Sequence, residues 1–138
     1  MKRKAKRIYI AGKIGTDNER AMLEEIDSLC KTLGFQTFLP HRDVGIATGI
    51  SDVGRIFHGD INIGLKNSDA VIAILDGLHI GAGTAWELGY AFAKGIPSIG
   101  IKTDESVSDA LEQLSSILID SMPIVSSTEE LKEKLKRI

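Results

Sequence analysis

Six apolar residues in succession, Ala70-Val71-Ile72-Ala73-Ile74-Leu75, follow Asp69 and stop at Asp76-Gly77. A run of that length without polar alternation suits a strand covered on both faces, which predicts the centre of a parallel sheet flanked by helices. The surrounding pattern agrees. Arg7-Ile8-Tyr9-Ile10-Ala11 reads as a first strand ending at Gly12, and Met22, Ile26, Leu29, Cys30 and Leu33 then form one stripe of a helix over residues 16–33, with Gly34 at its stop. A second strand over residues 35–39 ends at Pro40, and residues 41–51 form a loop long enough to be functional. A helix is expected over residues 52–67, with Val53, Ile56, Phe57, Ile61 and Gly64 turned inward and Asp60 on the same side. Beyond the central strand come a loop to Gly83, a helix over residues 84–94 stopped by Gly95, a strand over residues 97–101, a helix over residues 107–121, a short strand at Ile124-Val125, and a last helix opened by a capping box of Ser127 and Glu130.

Strands alternating with helices at this spacing are βαβ units with right-handed crossovers. The expected fold is a single α/β domain over residues 1–138, a doubly wound five-stranded parallel sheet in the flavodoxin-like order 2-1-3-4-5, with residues 1–6 as a basic leader. In such a sheet the ligand crevice lies beyond the carboxyl ends of strands 1 and 3, where the order reverses. The loops after those two strands are therefore the place to look.

The 138 residues, 43% hydrophobic and 26% charged with mean hydropathy +0.03, have a globular rather than a disordered profile. No apolar run approaches the roughly 18–20 residues that span a bilayer, and the basic start leads into no signal-peptide core, so a cytoplasmic protein without membrane contact is expected. Five of the first seven residues are basic, which leaves 12 basic against 19 acidic residues on the body and argues against a nucleic-acid polymer as partner. The single cysteine, Cys30, lies in an apolar stripe and is expected to be a buried structural thiol in a reducing compartment. His41, His58 and His79 lack metal-ligand spacing, and neither a Walker lysine-hydroxyl pair, a full dinucleotide glycine motif nor a nucleophilic Ser or Cys signature is present. No metal or cofactor is expected.

Glu87, in the segment Gly81-Ala82-Gly83-Thr84-Ala85-Trp86-Glu87, is placed by this reading in the first turn of the third helix. The helix dipole would keep it ionised there, fit to act as a nucleophile, while Thr84 and Glu87 also have the spacing of a capping box that would occupy the carboxylate. Gly81 and Gly83 leave room for a ligand to approach the backbone. Asp60 on an inward helical stripe needs a partner or a task. Tyr9 suits the core, but its place near the strand end would let its hydroxyl reach the crevice. Trp86 and Tyr90, spaced i, i+4, can form a stacking wall.

Tyr9-Ile10-Ala11-Gly12, Gly59-Asp60-Ile61, the stretch from Ser68 to Gly77, and Gly83-Thr84-Ala85-Trp86-Glu87-Leu88-Gly89-Tyr90-Ala91 together resemble the nucleoside 2-deoxyribosyltransferase family, which includes the 2′-deoxynucleoside 5′-monophosphate N-hydrolases. The resemblance implies cleavage of an N-glycosidic bond through a covalent glycosyl-enzyme, with Glu87 as nucleophile, Asp60 at the deoxyribose and as proton source for the leaving base, and Tyr9 positioning Glu87. It also implies a homodimer or larger homo-oligomer in which a neighbouring subunit completes the pocket, through the stretch Val107-Ser108-Asp109-Ala110. Two departures bear on the reaction. Gly81 stands where the transferases carry a base-binding aspartate and the nucleotide hydrolases a serine, and Ala110 stands where transferases tend to carry an asparagine. Both favour a hydrolase acting on a small nucleotide or nucleoside, with the turn Gly12-Lys13-Ile14-Gly15 as the expected holder of a 5′-phosphate and His41 and Asp43 as candidates for touching the base. Base exchange between deoxynucleosides is the alternative reaction. The cytokinin-releasing phosphoribohydrolases share Gly81, Gly83, Thr84 and Glu87 but have further motifs absent here, and a non-catalytic nucleotide-binding module is the alternative of another class.

Overall fold

The computed structural model describes residues 5–138; Lys2, Arg3 and Lys4 of the expected basic leader lie outside them. Five strands, β1 (Arg7–Ala11), β2 (Gln36–Phe38), β3 (Ala70–Ile74), β4 (Ser98–Ile101) and β5 (Ile124–Val125), form one all-parallel sheet in the order β2-β1-β3-β4-β5. The expected fold class and strand order are those observed. The reversal falls between β1 and β3, as the pattern of crossovers requires.

Alternate residues along the strands feed two separate cores. Ile8, Ile10, Ile72, Ile99 and Ile101 pack with α1 (Asp17–Thr32) and α7 (Thr128–Leu135) on one face. Tyr9, Ala11, Phe38, Val71, Ala73 and Leu75 pack on the other, against Ile61, Leu65 and the helix α4 (Ala82–Ala93). Cys30 is fully buried within the first core, and burial pushes its thiol up to about 12, so it is an inert structural group.

Helix α1 opens with a complete capping box between Thr16 and Glu19. Before α7 the box is only half made: Ser127 accepts from the Glu130 N–H, but the Glu130 carboxylate turns to Ser126 instead. Pro40 does not simply end the second strand. It opens a helical turn, α2 (Pro40–Asp43), because its fixed φ and missing N–H suit a first helical position.

Two expected helices differ from the sequence reading. Residues 107–110 form turns, and the chain then makes two short helices, α5 (Leu111–Leu114) and α6 (Ser116–Ser121), separated by Ser115 at φ 70°. The segment before β3 is helical throughout but not uniform. A 3₁₀ turn (Ile50–Asp52) leads into α3 (Val53–Phe57), which widens into a π segment (His58–Gly64) and tightens again at Leu65–Asn67. Val53 and Phe57, expected to face inward, are about half exposed at 52% and 51%.

The end of β3 is tied down by the end of β4. Lys102, almost wholly buried, donates to the carbonyls of Leu75 and Gly77 and pairs with Asp104 at 2.8 Å, while Asp104 in turn accepts from the Gly77 N–H. Asp76 completes the tie by accepting from the backbone and hydroxyl of Thr103. A lysine at that depth is tolerated because every donor finds an oxygen.

Candidate active site

Helix α4 begins at Ala82 with Gly81 as its N-cap, two residues earlier than the Thr84 start expected from sequence. Thr84 is therefore inside the helix and cannot cap it, which removes the capping-box reading of Glu87. The carboxylate sits in the second turn, beyond the strongest reach of the helix dipole, and points toward the sheet. There the hydroxyl of Tyr9 donates to its Oε2.

This geometry changes the expected charge state. Burial pushes Glu87 from an ordinary 4.5 up to about 7; the Tyr9 hydrogen bond pulls it down and the nearby Asp60 charge adds to the rise. Desolvation outweighs the helix dipole, so Glu87 holds its proton more tightly than an ordinary glutamate. The Tyr9 phenol is raised far above its usual range by burial and by the carboxylates of Glu87 and Asp60, and it stays a donor.

Asp60 rides on the π segment. Burial pushes it up to about 6, and its Oδ1 is sealed from solvent with no hydrogen-bond partner. An orphan buried acceptor is rare enough to need a reason, and π turns recur at functional positions. The widened turn is compatible with its packing, since a Cβ on Gly59 would stand 2.7 Å from Val44 and one on Gly64 would stand 2.5 Å from the Phe38 ring.

Asp60 and Glu87 line one cleft of about 520 Å³ together with Ala47, Val53, Ile56, Phe57, Gly83 and Trp86. That volume suits a small ligand of nucleotide size. Trp86 is half exposed, meets Phe57 edge-on at 5.8 Å and stacks on Tyr90 at 5.6 Å, so the aromatic wall expected from the i, i+4 spacing is formed, with Phe57 added from α3. Val53, Ile56 and Phe57, expected to turn inward, line this cleft. Their helical period was visible in the sequence, but not that the face they share opens onto the cleft.

Other expected site residues lie elsewhere. Lys13 leaves β1 toward α1, where its ammonium is 3.5 Å from Glu19 and lines a separate cavity of about 210 Å³ with Asn18 and Asp76. Gly81 lets its stem pass, since a Cβ there would be 3.2 Å from Lys13 Cγ. The turn Gly12-Lys13-Ile14-Gly15 is held to α1 by Arg20, which donates to the Ile14 carbonyl at 2.6 Å. Gly12 is packed close to Leu23, whereas Gly15 is exposed.

On α2, His41 pairs with Glu24 at 3.1 Å. Burial raises Asp43, but the hydrogen bonds from Arg42 and the Leu39 N–H outweigh it and hold the carboxylate below its usual range. His41 is thus engaged with α1, and Asp43 within its own turn. Asp109 is exposed in the turn before α5 and does not line the cleft of its own chain. Among the described residues no three His, Cys, Asp or Glu side chains are grouped as a metal ion would need, and no helix is long and apolar enough to cross a membrane.

The family model for nucleoside 2-deoxyribosyltransferase matches residues 8–125. The chain belongs to that family. Among solved structures it is similar to a conserved protein from Enterococcus faecalis, with TM-score 0.72 and 28% identity over 97% of this chain and 99% of the other. A 2-deoxyribosyltransferase from Bacillus psychrosaccharolyticus superposes with TM-score 0.74 at 19% identity, covering 91% and 90% of the two chains. The CMP N-glycosidase of Clostridium botulinum does so with TM-score 0.58 at 18% identity, covering 96% and 100%. At that identity the last two establish the shared fold. No curated protein matches the chain in sequence.

Proposed function

We propose that the protein cleaves the N-glycosidic bond of 2′-deoxynucleoside 5′-monophosphates or deoxynucleosides through a covalent intermediate on Glu87, with water as the preferred acceptor. The observation that carries this reading is the Tyr9–Glu87 hydrogen bond at a cleft that also exposes Asp60. A carboxylate serving only as a helix cap would face its own backbone. Here it is buried and fixed at one oxygen by a phenol.

In the proposed reaction a Glu87 oxygen attacks C1′ as the bond to the base breaks. The bonding pair leaves with the base, which takes a proton from the Asp60 carboxyl. The resulting Asp60 carboxylate then takes a proton from water. That water's oxygen attacks C1′, and the sugar–Glu87 ester opens to restore the carboxylate. Two inversions retain configuration. Burial raises both carboxyl groups, Asp60 to about 6 and Glu87 to about 7, so near neutral pH the pair shares protons and the reactive form, with Asp60 protonated and Glu87 ionised, is one of its two singly protonated states.

Transfer to a second base is the other reading, favoured by the half-exposed Trp86 and the edge-on Phe57, which would hold an acceptor base against the glycosyl-enzyme. Incubation with a deoxynucleotide or deoxynucleoside alone, then with a free base added, separates the two. Free deoxyribose or its 5-phosphate marks hydrolysis and a new nucleoside marks exchange. The absence of either product, with ligand still bound, would leave a binding module.

We also place the protein in a homo-oligomer whose partner helps to close the cleft. An apolar groove of about 1030 Å³ runs beside α4, lined by Leu88 and Phe92 of that helix and by Leu111 and Ile117. Phe92 and Ile117 are 68% and 80% exposed, which a second copy of the chain would correct.

A further inference from the structure

We propose that Arg7, at the start of β1, is a positioning residue that holds the Tyr9–Glu87 pair and the Asp60-bearing helix in one register. Its guanidinium reaches two places at once. It donates to the carbonyls of Ile63 and Gly64 at 2.7 and 2.6 Å, at the close of the π segment, and it lies 5.3 Å over the ring of Phe38.

Phe38 is the common element. In register with Tyr9 on the neighbouring strand, it stacks on the Tyr9 ring at 5.6 Å with an interplanar angle of 9°. Its edge also fills the space left by the missing side chain of Gly64. The ring is thus wedged between the phenol that holds Glu87 and the segment that carries Asp60, and Arg7 closes the wedge from outside.

Simple end-capping would not need this arrangement. The Ile63 carbonyl already accepts from Asn67 at 3.1 Å, and the Gly64 carbonyl from Ser68 at 2.9 Å. Arg7 adds a second donor to each through its Nη2 alone, while the flat face of its guanidinium rests on an aromatic ring, which lysine cannot reproduce. The charged or titratable groups that act on Glu87 are Tyr9 from β1 and Asp60 from the π segment. Any effect of Arg7 on Glu87 therefore runs through position rather than direct charge.

This assignment rests on the proposed role of Glu87, and its test reads the carboxylate itself as well as turnover. Carbon-13 NMR titration of Glu87, assigned with E87Q, would be run on the parent protein, R7M, R7K and F38L, with L131A on the opposite core as a control for lost stability. Loosening the wedge lengthens the Tyr9 hydrogen bond that pulls Glu87 down. The Glu87 midpoint should rise by about half a unit or more in R7M and F38L and by less in R7K, and stay put in L131A.

Where turnover is present, kcat should fall about tenfold in R7M with KM nearly unchanged. A midpoint unchanged or lowered in both R7M and F38L, whatever the loss of thermal stability, overturns the assignment. If R7M does not fold, F38L alone decides. A raised midpoint in a protein that cleaves nothing would instead overturn the reaction and leave the positioning role intact.

Discussion

Glu87 is held at a cost to the fold. Because its folded-state value of about 7 lies above the ordinary 4.5, the folded chain binds the proton more tightly than the unfolded chain. The stability this gives is complete below about pH 4.5 and is lost as pH rises through 7. Glu87→Gln keeps the shape, lets Tyr9 still donate to an oxygen, and cannot ionise. It should raise Tm by roughly 5 °C at pH 8 while abolishing turnover, and the gain should shrink toward zero at pH 5, as calorimetry at the two values would show.

The proposed reaction needs Glu87 ionised and Asp60 protonated, so kcat/KM should trace a bell between an acid limb near pH 6 and an alkaline limb near pH 7. Asp60→Asn removes the acid, so the alkaline limb should disappear even as kcat falls. Tyr9→Phe removes the hydrogen bond that lowers Glu87, so the acid limb should move up, with kcat reduced by about 10- to 100-fold. An alkaline limb retained in Asp60→Asn, or an acid limb lowered in Tyr9→Phe, would show that the two carboxyl roles are misassigned.

All three of these side chains were legible in the sequence, through their motifs. Their environment was not, because the start of α4 was read at Thr84 instead of Ala82. That two-residue difference puts Glu87 beyond the first turn, where desolvation rather than the helix dipole sets its charge. Lys13 shows the converse. Its place after Gly12 suggested the crevice, and its stem does run beside Gly77 and Gly81 after β3, but Glu19, brought round by the first turn of α1, holds its ammonium at 3.5 Å, outside the cleft that Asp60 and Glu87 line.

Among the elements, the segment between β2 and β3 bears most directly on the chemistry. Its apolar period predicted an unbroken α-helix, and propensity alone contains no signal for a π turn. The signal that was present is the pair Gly59 and Gly64, each needed for close contact, with Val44 and Phe38 respectively. Gly64→Ala would drive a methyl group into the Phe38 ring. We expect a loss of about 1–3 kcal/mol in urea unfolding and a fall in activity larger than the fraction unfolded explains, because Asp60 and Tyr9 shift together. An alanine tolerated without change in either would show that the widened turn is not held by this contact.

For the molecule as a whole, the five strands and their order were readable because each crossover is forced by the same physics: short apolar runs, parallel pairing and one handedness. The broken helix before β5 was not, since Ser115 adopts its left-handed backbone without the glycine that usually announces it. That break gives Ile117 its exposed place on the groove beside α4. If a second copy covers the groove, sedimentation should report a dimer or larger for the parent chain and a monomer for Phe92→Glu, with activity falling as the assembly dissociates. A fully active monomer would remove the shared-cleft proposal and leave the chemistry of one chain untouched.

The buried ammonium of Lys102 has a consequence for how that chemistry is reached. By fastening Leu75 and Gly77 beside the neighbouring strand, while Thr103 holds Asp76, it spends the conformational entropy of the loop's root during folding. In the proposed reaction an arriving substrate would then have to still only the few residues from Leu78 to the first turn of α4, leaving more of its contact energy for strain at the sugar.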